Sequence, residues 1–84
     1  MNTVNVRYFA SIREALGPGE RVQLPAGASV SLLRDKLIER SPAHAAALAR
    51  GKALRCALDQ ALCEESTLVG EGVEVAFFPP VTGG

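Results

Sequence analysis

Val73 to Phe78 reads VEVAFF, apolar at every position except Glu74, and it runs directly into Pro79 and Pro80. A strand with so few polar positions needs cover over much of both faces, so it belongs at the centre of a sheet. The two prolines lack amide donors and end its ladder, while Gly70 and Gly72 supply the turn that precedes it. With 84 residues there is room for one small domain around that strand, and a two-domain enzyme is excluded.

The rest of the chain predicts the sheet's other strands and its helical cover. Val4, Val6 and Tyr8 alternate with Asn5, Arg7 and Phe9, the period of a half-buried first strand. Ser11 to Leu16 forms one or two helical turns closed by Gly17 and Pro18, and Arg21 to Leu24 is a short strand that pairs with the first. Ser29 caps the main amphipathic helix, whose apolar stripe is Val30, Leu33, Leu37 and Ile38. Ser41 caps a second short, alanine-rich helix that begins at Pro42 and ends near Gly51. Leu54, Cys56 and Leu58 mark a third strand, and Ala61 to Cys63 a short additional one. The order is that of an α+β domain with a mixed sheet, one main helix and one or two short helices.

Nine Lys and Arg balance nine Asp and Glu, so the long-range positive field that gathers phosphate backbones is missing and nucleic acid is not expected as a partner. No apolar stretch reaches the roughly 18 residues of a membrane span, and the N-terminus lacks a basic-then-apolar leader. A cytoplasmic location is expected. Cys56 and Cys63 are too few for a disulfide framework and lack C-x-x-C spacing, so reduced thiols are expected. With a single His44 there is no set of four zinc ligands and no metal site is assigned.

The end of the chain is the remaining feature: after Glu74 no ionisable side chain follows, and Val81, Thr82, Gly83 and Gly84 carry only the terminal carboxylate. Two prolines favour an extended conformation, so residues 1–80 form the domain and 81–84 an extended tail of at most roughly 13 Å. Gly83 and Gly84 have no Cβ and make the tail narrow enough to thread a tunnel. A free carboxylate is ionised and a poor electrophile, so it becomes reactive only after activation by another enzyme.

AFFPPVTGG at Ala76 to Gly84, together with VRYFASIRE at Val6 to Glu14, is similar to the small, sulfur-carrying subunits of molybdopterin synthase. The resemblance implies a ubiquitin-like β-grasp fold. It also implies that Gly84 is adenylated by an ATP-dependent enzyme and converted to a thiocarboxylate by a sulfur donor such as a cysteine desulfurase or a rhodanese-like protein. The loaded tail would then donate sulfur to cyclic pyranopterin monophosphate inside the large subunit, in a heterotetramer of two small and two large subunits. No bound cofactor is implied; the glycyl adenylate and the thiocarboxylate are transient states of the terminus. By the same resemblance, Phe9, Arg13, Leu62 and Phe78, with Pro79, Pro80, Val81 and Thr82, meet the partner proteins, and Gly83 and Gly84 carry the chemistry. Strand parity independently puts Phe9 and Phe78 on the solvent side, where aromatic residues suggest an interface. Carriers for thiazole synthesis or tRNA thiolation, and ubiquitin-like modifiers, are the alternatives; the paired prolines and Phe77-Phe78 argue against the former.

The other polar residues receive structural readings. His44 has no acid or nucleophile in its motif and reads as a solvated helical side chain. Arg34 to Lys36, Glu64 and Glu65 read as solvated surface charge, Cys56 as a small core hydrophobe, and no chemistry is assigned to Cys63.

Overall fold

The structure, a computed structural model, describes residues 1–80. Five strands, β1 (Asn2–Tyr8), β2 (Gly19–Leu24), β3 (Arg55–Leu58), β4 (Ala61–Cys63) and β5 (Glu74–Phe78), form one mixed sheet in the order β2-β1-β5-β3-β4. β5 runs parallel to β1, and the other neighbours are antiparallel. The apolar run thus occupies the middle of the sheet, as its composition requires. Phe77 is fully buried there, which contributes roughly 2–3 kcal/mol.

Three helices, α1 (Ala10–Leu16), α2 (Val30–Ile38) and α3 (Pro42–Leu48), bury their apolar residues against the face that carries Val4, Val6, Tyr8, Val75 and Phe77. α2 starts where the Ser29 hydroxyl accepts the Leu32 amide at 3.2 Å, and Ser41 accepts the His44 amide at 3.1 Å at the start of α3. Gly19 is required by backbone approach. A Cβ there would stand 2.2 Å from the Val6 carbonyl oxygen. No helix among the described residues is long and apolar enough to cross a membrane.

Three polar readings are corrected by the tertiary structure. His44 is not solvated, because its side chain is only 16% exposed and its Nε2 donates to Glu20 Oε2 at 2.8 Å, while Nδ1 lies 2.7 Å from Ser41 Oγ. Its acidic partner lies on β2, outside any local motif. Arg34 is buried, and its guanidinium binds the Leu48, Ala49 and Lys52 carbonyls and the Glu65 carboxylate. Glu65 is likewise engaged, bridging Arg34 and Arg50 with its two oxygens.

Glu20 collects three donors: Tyr8 Oη at 2.6 Å, His44 Nε2 and an Arg40 guanidinium nitrogen. Burial pushes its pKa up, but the bonds from Tyr8 and His44 and the nearby positive charge outweigh it, and the net shift is downward from 4.5. A carboxyl that binds its proton more weakly when folded stabilises the fold above pH 4.5. That stabilisation is lost as pH falls from 4.5 through the lower folded value. We expect Glu20→Gln to lose about 1–3 kcal/mol at neutral pH and to show a shallower decline below pH 4.5 than the parent. Urea unfolding across a pH series measures both, and parallel curves for the two proteins would contradict the assignment.

Candidate functional site

The sheet face turned away from the helices holds an open apolar groove of about 420 Å³, lined by Phe9, Ala57, Gln60, Leu62, Glu74, Ala76 and Phe78. Its construction follows from strand parity. On β5 the side chains of Val75 and Phe77 enter the core, leaving Glu74, Ala76 and Phe78 for the other face. On β3, Cys56 points inward and Ala57 outward, and Ala57 pairs with Ala76 on one side and Leu62 on the other. Two alanines side by side make a low floor, and the larger Phe9, Leu62 and Phe78 stand around it. Ala76, only 6% exposed, lies so deep between them that β5 is covered on this face too.

Two local devices hold the walls. Phe9 leaves β1 as the residue before α1, its amide bonded to the Phe77 carbonyl at 3.3 Å and its ring 5.6 Å from the Arg7 guanidinium carbon. Leu62 is carried by the β3–β4 hairpin, whose turn residues Asp59 and Gln60 have φ of 47° and 71°, the left-handed pair of a two-residue loop. Asp59 Oδ1 accepts the Glu74 amide at 2.9 Å and the Asp59 amide donates to the Glu74 carbonyl at 2.8 Å, tying that turn to the start of β5. Glu74, the one charged residue among the described residues that line the groove, pairs with Arg7 at 3.7 Å.

The structure therefore brings Phe9, Leu62 and Phe78 together in one patch, with Phe9 39% and Leu62 64% exposed. Arg13 is exposed on α1 and does not line the groove. Pro79 is half-buried and Pro80 exposed as the chain leaves β5, while Val81, Thr82, Gly83 and Gly84 lie outside the described residues. Sequence reasoning missed Ala57, Ala76, Gln60 and Glu74; the shared parity of Ala76 with Phe78 was the available signal. Among the described residues no three His, Cys, Asp or Glu side chains are grouped to hold a metal ion.

A mixed sheet with a central parallel pair, crossed by one main helix, defines a ubiquitin-like β-grasp protein of the α+β class. The fold matches that of SAMP1 from Haloferax volcanii with a TM-score of 0.80 and 25% identity, covering 99% of this chain and 100% of that one. The chain belongs to the ThiS family, whose model matches residues 6–84. It is 40% identical over 82 residues to the molybdopterin synthase sulfur carrier subunit of Haemophilus influenzae, covering 96% of this chain and 99% of the relative. It is 38% identical over 86 residues to the protein of the same name from Mycobacterium tuberculosis, covering both chains completely.

Proposed function

We propose that this chain is the sulfur-carrier subunit of a molybdopterin synthase. The observation that carries the proposal is a family match that runs through Gly84, combined with full-length relatives that bear this function in their names. The working group is the Gly84 carboxylate. Adenylation by an ATP-dependent enzyme gives it a leaving group; the persulfide of a sulfur donor such as a cysteine desulfurase or a rhodanese-like protein then attacks the carbonyl and displaces AMP, and a thiol reductant cleaves the resulting acyl disulfide to leave a thiocarboxylate. Thiocarboxylate sulfur is a far stronger nucleophile than carboxylate oxygen, and attack on cyclic pyranopterin monophosphate inside a closed partner site keeps the reagent from water. Gly83 leaves the approach to that site narrow. Two sulfurs require two loaded carriers, which fits a heterotetramer of two small and two large subunits.

Incubation with the adenylating enzyme, ATP, the sulfur donor and a thiol reductant should replace one terminal oxygen by sulfur in the intact mass. The loaded protein should then support pyranopterin sulfuration with a large subunit. An unchanged mass would sink the proposal, and abundant conjugates to lysine on a denaturing blot would replace it with a modifier function.

The groove is the docking face in this proposal, with Phe9, Leu62 and Phe78 as apolar anchors and with Arg13, Pro79, Pro80, Val81 and Thr82 as further partner contacts. Leu62 is mostly exposed, so replacing it hardly disturbs the core. Leu62→Asp is expected to weaken large-subunit binding by about 2 kcal/mol or more, roughly thirtyfold in Kd, with thermal stability nearly unchanged. Calorimetric titration against the large subunit reads this directly, and an unchanged Kd would remove Leu62 from the interface.

A further inference from the structure

Cys56 on β3 and Cys63 on β4 are directly opposed in the antiparallel hairpin, and both carry free thiols. Their Sγ atoms lie 3.7 Å apart, and the Cys56 thiol also meets the Cys63 carbonyl oxygen at 3.3 Å. Opposed residues in an antiparallel ladder hold their Cα atoms about 4.5–5.5 Å apart, inside the range of roughly 4.4–6.8 Å that disulfides span. The two sulfurs need to approach by less than about 2 Å to bond. The register cannot slip to spoil this, because the Asp59–Gln60 turn is bonded to Glu74 at its amide and at its side chain.

The two thiols differ in access. Cys63 is half-buried on an edge strand, whereas Cys56 is 5% exposed in the core. We infer that Cys56 and Cys63 form a dithiol–disulfide exchange site that takes small soluble disulfides as its substrates, with Cys63 as the attacking thiol and Cys56 as the resolving one. The Cys63 thiolate attacks one sulfur of the small disulfide, breaking its S–S bond and releasing one thiol. Cys56 then attacks the Cys63 sulfur of the mixed disulfide, forming the intrachain bond and releasing the second thiol. Two electrons pass from the cysteine pair to the small disulfide, and the two cysteine protons end on the released thiols.

Burial, the bond to Cys63 and the charge of Cys63 push the Cys56 thiol up to about 12, so it stays protonated and is a poor nucleophile toward the small disulfide itself. Burial, the largest of these influences, persists in the mixed disulfide, so resolution rests on the contact between the two sulfurs. A sulfur held in contact also gains the large effective concentration of an intramolecular reaction. Resolution is therefore favoured at the moment it is needed. The neighbouring pair in the same hairpin is Ala57 and Leu62, so the cross-link forms one residue away from the groove wall.

The test uses the full-length chain with an unloaded terminus, equilibrated in glutathione buffers stepped from fully reduced to fully oxidised, trapped by alkylation and read by intact mass. Both thiols should vanish in a single two-electron transition to a monomer lighter by two hydrogens. Cys56→Ser should accumulate one glutathione on Cys63, while Cys63→Ser should leave Cys56 unmodified in the same buffer. Accumulation of a glutathione adduct on the parent chain, formation of intermolecular dimers, or survival of both thiols in the fully oxidised buffer would each overturn the inference.

Discussion

Removal of Gly83 and Gly84 is expected to reduce sulfur loading to background while moving Tm by less than about 2 °C. The two effects separate because the described core and the proposed chemistry occupy different parts of the chain. The described core residues all lie between Val4 and Phe77, and the β5 ladder closes at Phe78. Without Gly84 the acceptor of the adenylate is gone, and the new terminus at Thr82 is two residues short and carries a β-branched side chain. Intact mass after incubation with the adenylating enzyme, ATP, the sulfur donor and a thiol reductant measures loading, and a thermal melt of the same sample measures stability. Full loading of the truncated chain would refute the role of Gly84, whereas a fall of 5 °C or more, on the order of 1 kcal/mol, would show that the glycines contribute to the fold.

Arg34→Ala is expected to have the larger effect on stability, a loss of about 3–5 kcal/mol and a fall in Tm of roughly 15–30 °C. The Arg34 side chain is 4% exposed. Its Nε donates to the Leu48 carbonyl at 2.8 Å, Nη2 to the carbonyls of Ala49 and of Lys52, the latter at 3.2 Å, and Nη1 to Glu65 Oε2 at 2.6 Å. One planar fork thus satisfies the carbonyls at the end of α3 and neutralises a carboxylate from the loop after β4. Alanine would leave the carbonyls unpaired and Glu65 with only Arg50 as an ionic partner. Lysine would not rescue it, since an ammonium has no fork to spread over four acceptors. Urea unfolding with an unchanged slope would report this loss cleanly. A change below about 1 kcal/mol would mean that water replaces the guanidinium at these carbonyls.

Arg34 and His44 mark the boundary of what periodicity reveals. The helix stripe Val30, Leu33, Leu37 was legible because apolar residues recur at the helical period, and Arg34 was read as surface because it is charged. Yet Arg34 lies one residue after Leu33 and three before Leu37, on the edge of that stripe, so the spacing already turned it toward the core. What no local pattern contains is the set of carbonyls that make its burial tolerable, since they come from α3 and the segment after it. His44 repeats the lesson: its capping serine is three residues away and was visible, but Glu20 arrives from another strand.

The candidate site divides in the same manner. Alternation along β1 and β5 showed that Phe9 and Phe78 face away from the core, because side-chain direction in an extended chain has a fixed period of two. Alternation does not say which strands are neighbours. The order β2-β1-β5-β3-β4 puts Leu62 across Ala57 and Ala76 from Phe9 and Phe78, and brings Cys56 opposite Cys63. By itself, the sequence determined the element types, the central place of the VEVAFF strand and the terminal glycine motif, since these depend on residue period, on missing amide donors and on the identity of the last residues. Only the tertiary structure decided the groove, the buried guanidinium and the paired thiols, because each joins residues whose proximity depends on strand order and helix docking.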